Sequence, residues 1–255
     1  MTRNTLISDD YVNGFRYDEN GTPISFRSFP ITEWAECEKH GRYPVRYGDD
    51  VSSWPIQCGC LACLAEEKLQ QKIDAALIPP RFADKSFENF SCEQAWQRDA
   101  KELVESYAYD FDKTSRLGRS MVILGRPGTG KTHLACAYAN EILRQGHTAL
   151  FTSVAKIIRK VRSSWSKGNE DEVLSVYTGV DLLIVDEVGV QAGTENEKQI
   201  IFNVLNERYN NVLPTVLISN LRQNEVKTYL GERVWDRLKE GGGNVLILNG
   251  ESQRR

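Results

Sequence analysis

Short apolar runs alternate with stretches of helical spacing over the last two thirds of the chain. Ser120-Met121-Val122-Ile123-Leu124 reads as a buried strand, and His133 to Leu143 sets Leu134, Ala137, Tyr138 and Ile142 at helical intervals. The pattern then predicts strand 148–152, helix 154–164, strand 182–185, helix Glu195–Asn210, strand Thr215–Ser219, helix 225–239 and strand 245–248. Strands alternating with helices imply an α/β fold, a parallel sheet covered on both faces. Upstream, residues 93–111 carry a helical stripe of Ala95, Trp96, Ala100, Leu103, Val104 and Tyr107, and residues 64–77 are rich in helix formers until Ile78-Pro79-Pro80 ends them.

The first 32 residues show no sustained period. Asn13-Gly14, Asn20-Gly21-Thr22-Pro23 and Phe29-Pro30 are turn signals, which predicts a loosely ordered or hairpin-like leader over 1–33. With 255 residues, 40% hydrophobic and 26% charged, the chain suits one large domain plus a small module. No apolar run approaches the ~20 residues of a membrane span, and Met1-Thr2-Arg3-Asn4 leads into acidic residues, so a cytoplasmic protein without a membrane partner is expected. The net charge of −3 excludes a basic coat, and any nucleic-acid surface has to arise by local arrangement.

Six cysteines in such a chain point to metal ligands or buried apolar groups before disulfides. Cys92 and Cys136 stand alone, and Cys136 falls on the helix after 131, where a small buried side chain is the default. Cys37, Cys58, Cys60 and Cys63 cluster with His40. Cys37-Glu38-Lys39-His40 and Cys60-Leu61-Ala62-Cys63 are two chelating pairs, so residues 34–63 read as a zinc-binding module with ligands Cys37, His40, Cys60 and Cys63 and Cys58 as the spare thiol. Arg42 to Trp54 supplies a short hairpin between the pairs. Four protein ligands leave no open position, so the zinc is structural, and metal binding supplies the folding free energy of so small a module.

Gly125-Arg126-Pro127-Gly128-Thr129-Gly130-Lys131-Thr132 fills every position of the Walker A phosphate loop, in the strand–loop–helix context that the motif requires. Its glycines let successive N–H groups turn toward phosphates, Lys131 reaches the β- and γ-phosphates, and Thr132 ligates Mg²⁺. Leu182-Leu183-Ile184-Val185-Asp186-Glu187 has the form of a Walker B strand, with Asp186 for Mg²⁺ and Glu187 to activate the attacking water. Asn220 ends the strand Thr215–Ser219, where its amide can meet that water or the γ-phosphate. Arg233 and Arg237 share a helix face four residues apart. They suit a trans-acting arginine finger or internal pairing with Glu232, Asp236 or Glu240.

These blocks, of which Asp181 to Gly189 around the Walker B acids and Gly231-Glu232-Arg233-Val234-Trp235-Asp236-Arg237 are more specific than the phosphate loop, closely resemble the DnaC-type helicase loaders of the AAA+ ATPases over residues 78–255. The resemblance implies an ATPase domain at 78–255, joined by a connecting helix at 64–77 to the zinc-binding module. It further implies ATP and Mg²⁺ as cofactors, self-association through the ATPase domain, and loading of a hexameric DnaB-type helicase onto single-stranded DNA at a replication start. By that likeness Asn220 is sensor 1, Arg233 or Arg237 is the finger, and Arg254 is the sensor 2 arginine. Lys156, Arg159, Lys160 and Arg162 fall where such loaders contact single-stranded DNA, and a solvated basic helix face is the other reading. The bacterial loader's N-terminal region is metal-free, so residues 1–77 are expected to carry a helicase contact of their own. An IstB-type transposition helper ATPase and a zinc-dependent adaptor using ATP as a binding switch are the alternatives.

Overall fold

The computed structural model describes the backbone of residues 6–7, 11–17, 23–48, 53–55, 60–190 and 194–252, and the side chains of residues 30–46, 60–190 and 194–252. Two compact units divide the chain, Met1–Gln70 and Gln71–Arg255.

Among the described residues the first unit is an antiparallel meander in the order β1-β2-β3-β4-β5: β1 (Leu6–Ile7), β2 (Tyr11–Tyr17), β3 (Pro23–Cys37), β4 (Gly41–Gly48) and β5 (Ser53–Pro55). Of the two forms expected for the leader, the described residues take the hairpin-like one, and β3 runs through residue 33. Asn13 and Gly14 pair with Ser28 and Arg27 within the β2–β3 ladder, where cross-strand pairing outweighs local turn preference. β3 pairs with β2 through its first half and with β4 through its second, and its register shifts between Ile31 and Trp34. The hairpin expected after Arg42 is formed by β4 and β5. Helix α1 (Leu61–Ala75) follows and buries none of its side chains.

The second unit holds a parallel sheet, β10-β6-β9-β8-β7 among the described residues, built from β6 (Met121–Gly125), β7 (Ala149–Ser153), β8 (Leu182–Asp186), β9 (Thr215–Ser219) and β10 (Asn244–Leu248). Its strands are apolar on both faces, as a doubly covered parallel sheet demands. Val122, Leu124, Leu183, Val185 and Leu217 join a core with helices α5 (Val154–Trp165), α6 (Glu170–Thr178), α7 (Glu195–Asn210) and α9 (Glu232–Lys239). Helix α2 (Ala95–Tyr109) packs on α4 (Lys131–Arg144), and α4 packs on β6, β7, β8 and β9.

Three elements depart from expectation. The predicted helix over 93–111 is α2 followed by a short α3 (Phe111–Arg116). Helix α6 occupies a stretch where the periodicity predicts nothing. The predicted helix over 225–239 is two helices, α8 (Gln223–Leu230) and α9, because Gly231 adopts φ 81° and ψ 154°, a conformation closed to a helix and to most side chains.

Arg208 of α7 is fully buried and forms no ion pair among the described residues. Its guanidinium donates to the carbonyls of Tyr177, Val180, Asp181 and Pro214 and to the Thr215 hydroxyl, tying the starts of β8 and β9 together. Burial lowers its pKa to about 9.

Candidate nucleotide site and metal centre

β6 delivers the chain into the phosphate loop and α4 carries it away. Gly128 (φ 85°) and Gly130 (φ 94°) both take left-handed conformations. Space enforces glycine there as much as dihedrals do: a Cβ on Gly130 would lie 2.6 Å from Phe90 Cε2, and one on Gly128 would run into Ser252. Buried Thr129 donates to the Arg126 carbonyl at 2.9 Å, and the Lys131 ammonium donates to the carbonyls of Gly125 and Arg126 at 2.7 and 2.8 Å, so the lysine is held in the mouth of the loop. Arg126 and Pro127 form its exposed rim. The N-terminus of α4 begins at Lys131, directly after the loop, and a helix N-terminus favours an anion.

The two residues expected to hold Mg²⁺ meet: the Thr132 hydroxyl donates to Asp186 Oδ2 at 3.2 Å. Burial, helped by the Glu187 charge, raises the Asp186 pKa against its hydrogen bonds from Glu187 N–H and Thr132. A desolvated carboxylate beside a hydroxyl, at the end of a lysine-bearing loop, is the donor set a hard divalent cation takes. Glu187 is exposed and itself left-handed (φ 60°), an uncommon conformation for glutamate, with its N–H on Asp186 Oδ1 at 2.7 Å.

Because β9 lies between β6 and β8, Asn220 emerges between the phosphate loop and the acidic pair. The Ser219 hydroxyl donates to the Val188 carbonyl at 2.6 Å and accepts from Leu221 N–H at 3.1 Å, which fastens the loop after β8 to the end of β9 and leaves Asn220 exposed.

Sequence reasoning missed the segment that walls the loop. His133 bonds the Ser86 carbonyl at 3.0 Å and meets the Phe90 ring edge-on, while Asn140 donates to the carbonyls of Ala83 and Lys85. Polar residues at interior positions of α4 are the signal that finds it.

On α9, neither arginine pairs with the neighbouring acids. Arg233 is exposed; Arg237 stacks on the Tyr209 ring at 4.8 Å with one terminal nitrogen buried and unpartnered, while Tyr209 donates to Glu240 at 2.6 Å. Arg254 lies outside the described residues, as does Cys58. Of the basic residues on α5, Arg162 is committed to Glu197 at 3.3 Å, whereas Lys156, Arg159 and Lys160 are exposed and form no ion pair among the described residues.

In the first unit the turn between β3 and β4 presents Cys37 and His40, and the start of α1 presents Cys60 and Cys63. The four ligand atoms lie within 4.8 Å of one another. Cys37 Sγ is 3.5 Å from Cys63 Sγ, and His40 Nδ1 is 3.3 to 3.7 Å from the three sulfurs. Tetrahedral zinc, with bonds of ~2.3 Å to sulfur and ~2.0 Å to nitrogen, needs ligand separations of this size. The backbone N–H groups of Lys39 and His40 lower the Cys37 pKa to about 6, whereas donation of its own thiol hydrogen to Cys37, together with burial, raises Cys63 to about 12: without a cation one thiolate forms at another's expense. Glu66 completes the cluster, unforeseen from the sequence. It accepts from His40 Nε2 at 3.1 Å and pairs with Lys39, which turns Nδ1 toward the sulfurs. Its place three residues after Cys63 on a helix is the signal that identifies it.

Comparison with known proteins agrees with this geometry. Residues 61–255 match the family described as IstB-like ATP binding protein. The chain belongs to the IstB/DnaC-like ATP-binding family. Within it, the chain is 32% identical over 223 residues to the replicative helicase loader DnaC of Escherichia coli K12, covering 84% of this chain and 90% of that protein. DnaC of Buchnera aphidicola subsp. Baizongia pistaciae is 32% identical over 226 residues, covering 85% and 91%. Among solved structures, a DnaC helicase loader superposes with a TM-score of 0.60 at 21% identity, covering 66% of this chain and 99% of that one, which shows the AAA+ P-loop fold. AMPPCP-bound DnaA from Aquifex aeolicus gives 0.58 at 26% identity over 68% and 51%. No helix among the described residues of this family member is long and apolar enough to cross a membrane.

Proposed function

We propose that this chain is an ATPase that loads a hexameric DnaB-type replicative helicase onto single-stranded DNA. The observation that carries the reading is the convergence of Lys131, Thr132, Asp186, Glu187 and Asn220 at one sheet edge, in a chain alignable with DnaC over most of its length. The loop N–H groups bind the phosphates, and Lys131 exchanges its carbonyl partners for phosphate oxygens. Thr132 and Asp186 would hold Mg²⁺, which would neutralise phosphate charge when bound. Glu187 takes a proton from the attacking water, and Asn220 orients that water. Arg233 or Arg237 reaches the γ-phosphate of a neighbouring copy, with Arg254 as a further contact to the nucleotide. Lys156, Arg159 and Lys160 track the DNA backbone. Zinc on Cys37, His40, Cys60 and Cys63 shapes residues 1–77 into the helicase contact.

The test mixes the protein with a DnaB-type hexamer and single-stranded DNA. A co-purifying complex whose DNA loading requires ATP, and whose hydrolysis is lost in Glu187→Gln, supports it. Turnover unchanged by that substitution favours a binding-switch adaptor instead. The match to IstB-like proteins favours a second reading, a transposition helper ATPase. Co-purification with an integrase-like transposase, and none with the helicase, decides for it.

A further inference from the structure

Lys156, Arg159 and Lys160 do more than line a helix face: they wall a cavity of about 430 Å³ whose remaining lining is almost wholly apolar. The floor is Leu150, Phe151 and Tyr177, all buried. The rim is Leu77, Val173 and Val176, with Leu77 62% and Val176 54% exposed. Leu77 is held there deliberately. The Ala76 carbonyl accepts the Phe151 N–H at 2.7 Å on the outer edge of β7, and the next residue turns to φ 53°. A left-handed leucine is strained, and burial does not offset the strain at this exposure. Nor do acids of this chain quench the three cations among the described residues.

The cavity therefore calls for an occupant in which an anion and an apolar body are joined over a few ångströms. A nucleotide unit of single-stranded DNA has that form, and three cations along one helix suit successive phosphates. The Phe151 and Tyr177 rings, each 6% exposed, offer no stacking face, so recognition falls to aliphatic contact at the rim. Thymine, with its C5 methyl, is the base that gains most from such a wall. We propose that this cavity is a nucleobase pocket on the single-stranded DNA track, with phosphates on Lys156, Arg159 and Lys160 and a thymine packed between Leu77 and Val176. The proposal rests on the DNA contact assigned above.

Oligo-dT and oligo-dU of equal length differ only in the methyl. Anisotropy titrations of the full chain with ATP and Mg²⁺ should show dT bound about fourfold more tightly per seated base, the worth of one buried methyl. Leu77→Ala and Val176→Ala should each bring the dT/dU ratio toward one without changing the salt dependence. Lys160→Ala should weaken both oligonucleotides equally and reduce the salt slope by about one. Equal binding of dT and dU by the unaltered protein, or a ratio that survives Leu77→Ala, overturns the pocket while leaving the DNA track standing. No binding of either oligonucleotide at low salt overturns the track itself. A labelled acidic, leucine-bearing peptide that binds in their place, and is lost in Leu77→Ala, reassigns the cavity to a protein segment.

Discussion

The nucleotide site and the Cys/His cluster hold their chemistry in place by opposite means. Around the phosphate loop, position comes from burial: the strands beneath it are almost without exposed surface, and Thr129, Lys131 and Ser219 are themselves buried. Around His40, the proposed zinc would supply the position through Cys37, His40, Cys60 and Cys63. Among the described side chains of the first unit only Cys60 is buried, and α1 buries none. Close packing fixes a site through many weak contacts, so it tolerates the loss of any one functional group. A site fixed by four ligand atoms has no such reserve, and its fold and its chemistry are one equilibrium.

That contrast breaks most visibly on metal removal. Strong chelation, or Cys60→Ser, should abolish hydrogen-exchange protection across residues 30–46 and 60–70 while the MgATP affinity of the same full-length protein stays within about threefold. Equal losses in both units would show that the two sites do not stand on separate supports. In the packed unit, single functional groups should come away cleanly. Glu187→Gln should cut turnover by about 10²–10⁴ with ATP still bound, measured by phosphate release against nucleotide titration, and the melting curve should hardly move.

The same contrast explains what was legible in the amino-acid sequence. Helix α7 and strand β9 appear with the bounds their periodicity predicts, because each buries one continuous stripe or run against the sheet. The phosphate loop and acidic pair were readable because each motif is contiguous in sequence. Helix α6 was not, since it is nine residues long and Val173, Leu174, Val176 and Tyr177 make too short a stripe to declare a helical period, although Glu170, Asp171 and Glu172 in its first turn mark a helix start. One continuous helix over 225–239 was expected because apolar spacing carries across Gly231, and only its backbone dihedrals reveal the break. In the first unit the Cys/His cluster was legible from spacing, but the meander was not: pairing along β3 is non-local, and the turn dipeptides signal turns. Leu77 and Glu66 escaped for a related reason. Each matters through a partner distant in sequence: Phe151 beside Ala76, and His40 beneath Glu66.

Glu66 sharpens the comparison at smaller scale. A carboxylate on the far nitrogen of a ligating imidazole fixes its tautomer and strengthens it as a donor. Glu66→Ala should weaken Zn²⁺ affinity by about 10–100-fold in chelator competition, and nitrogen NMR of His40 should lose the single Nδ1-bound form. Glu66→Gln, which still accepts the Nε2 proton, should recover most of both. A Glu66→Ala protein that binds zinc as tightly as the parent would reduce the contact to a surface ion pair.

The smallest effect runs the other way. Asp186 is a carboxylate whose pKa the fold raises, chiefly by burial, so in the absence of a cation its charge opposes folding. The sign follows from proton binding. With the folded pKa above the unfolded one, the native state holds the proton more tightly, and the associated stability is present below the unfolded pKa and lost as pH rises through the folded value. At neutral pH the nucleotide-free protein therefore carries a desolvated charge that Asp186→Asn removes, while the amide still accepts from Thr132. That substitution should raise the melting temperature by a few degrees, about 2–4 °C for each kcal/mol relieved. The gain should disappear at acid pH, where the parent carboxyl is already protonated. Adding MgATP should reverse the order, stabilising the parent and leaving the variant behind, because the charge that strains the free fold is the one the cation uses. A variant no more stable than its parent at neutral pH would mean that Thr132 and the Glu187 N–H already compensate the burial of Asp186, and that the packed unit keeps no strain in reserve for its metal.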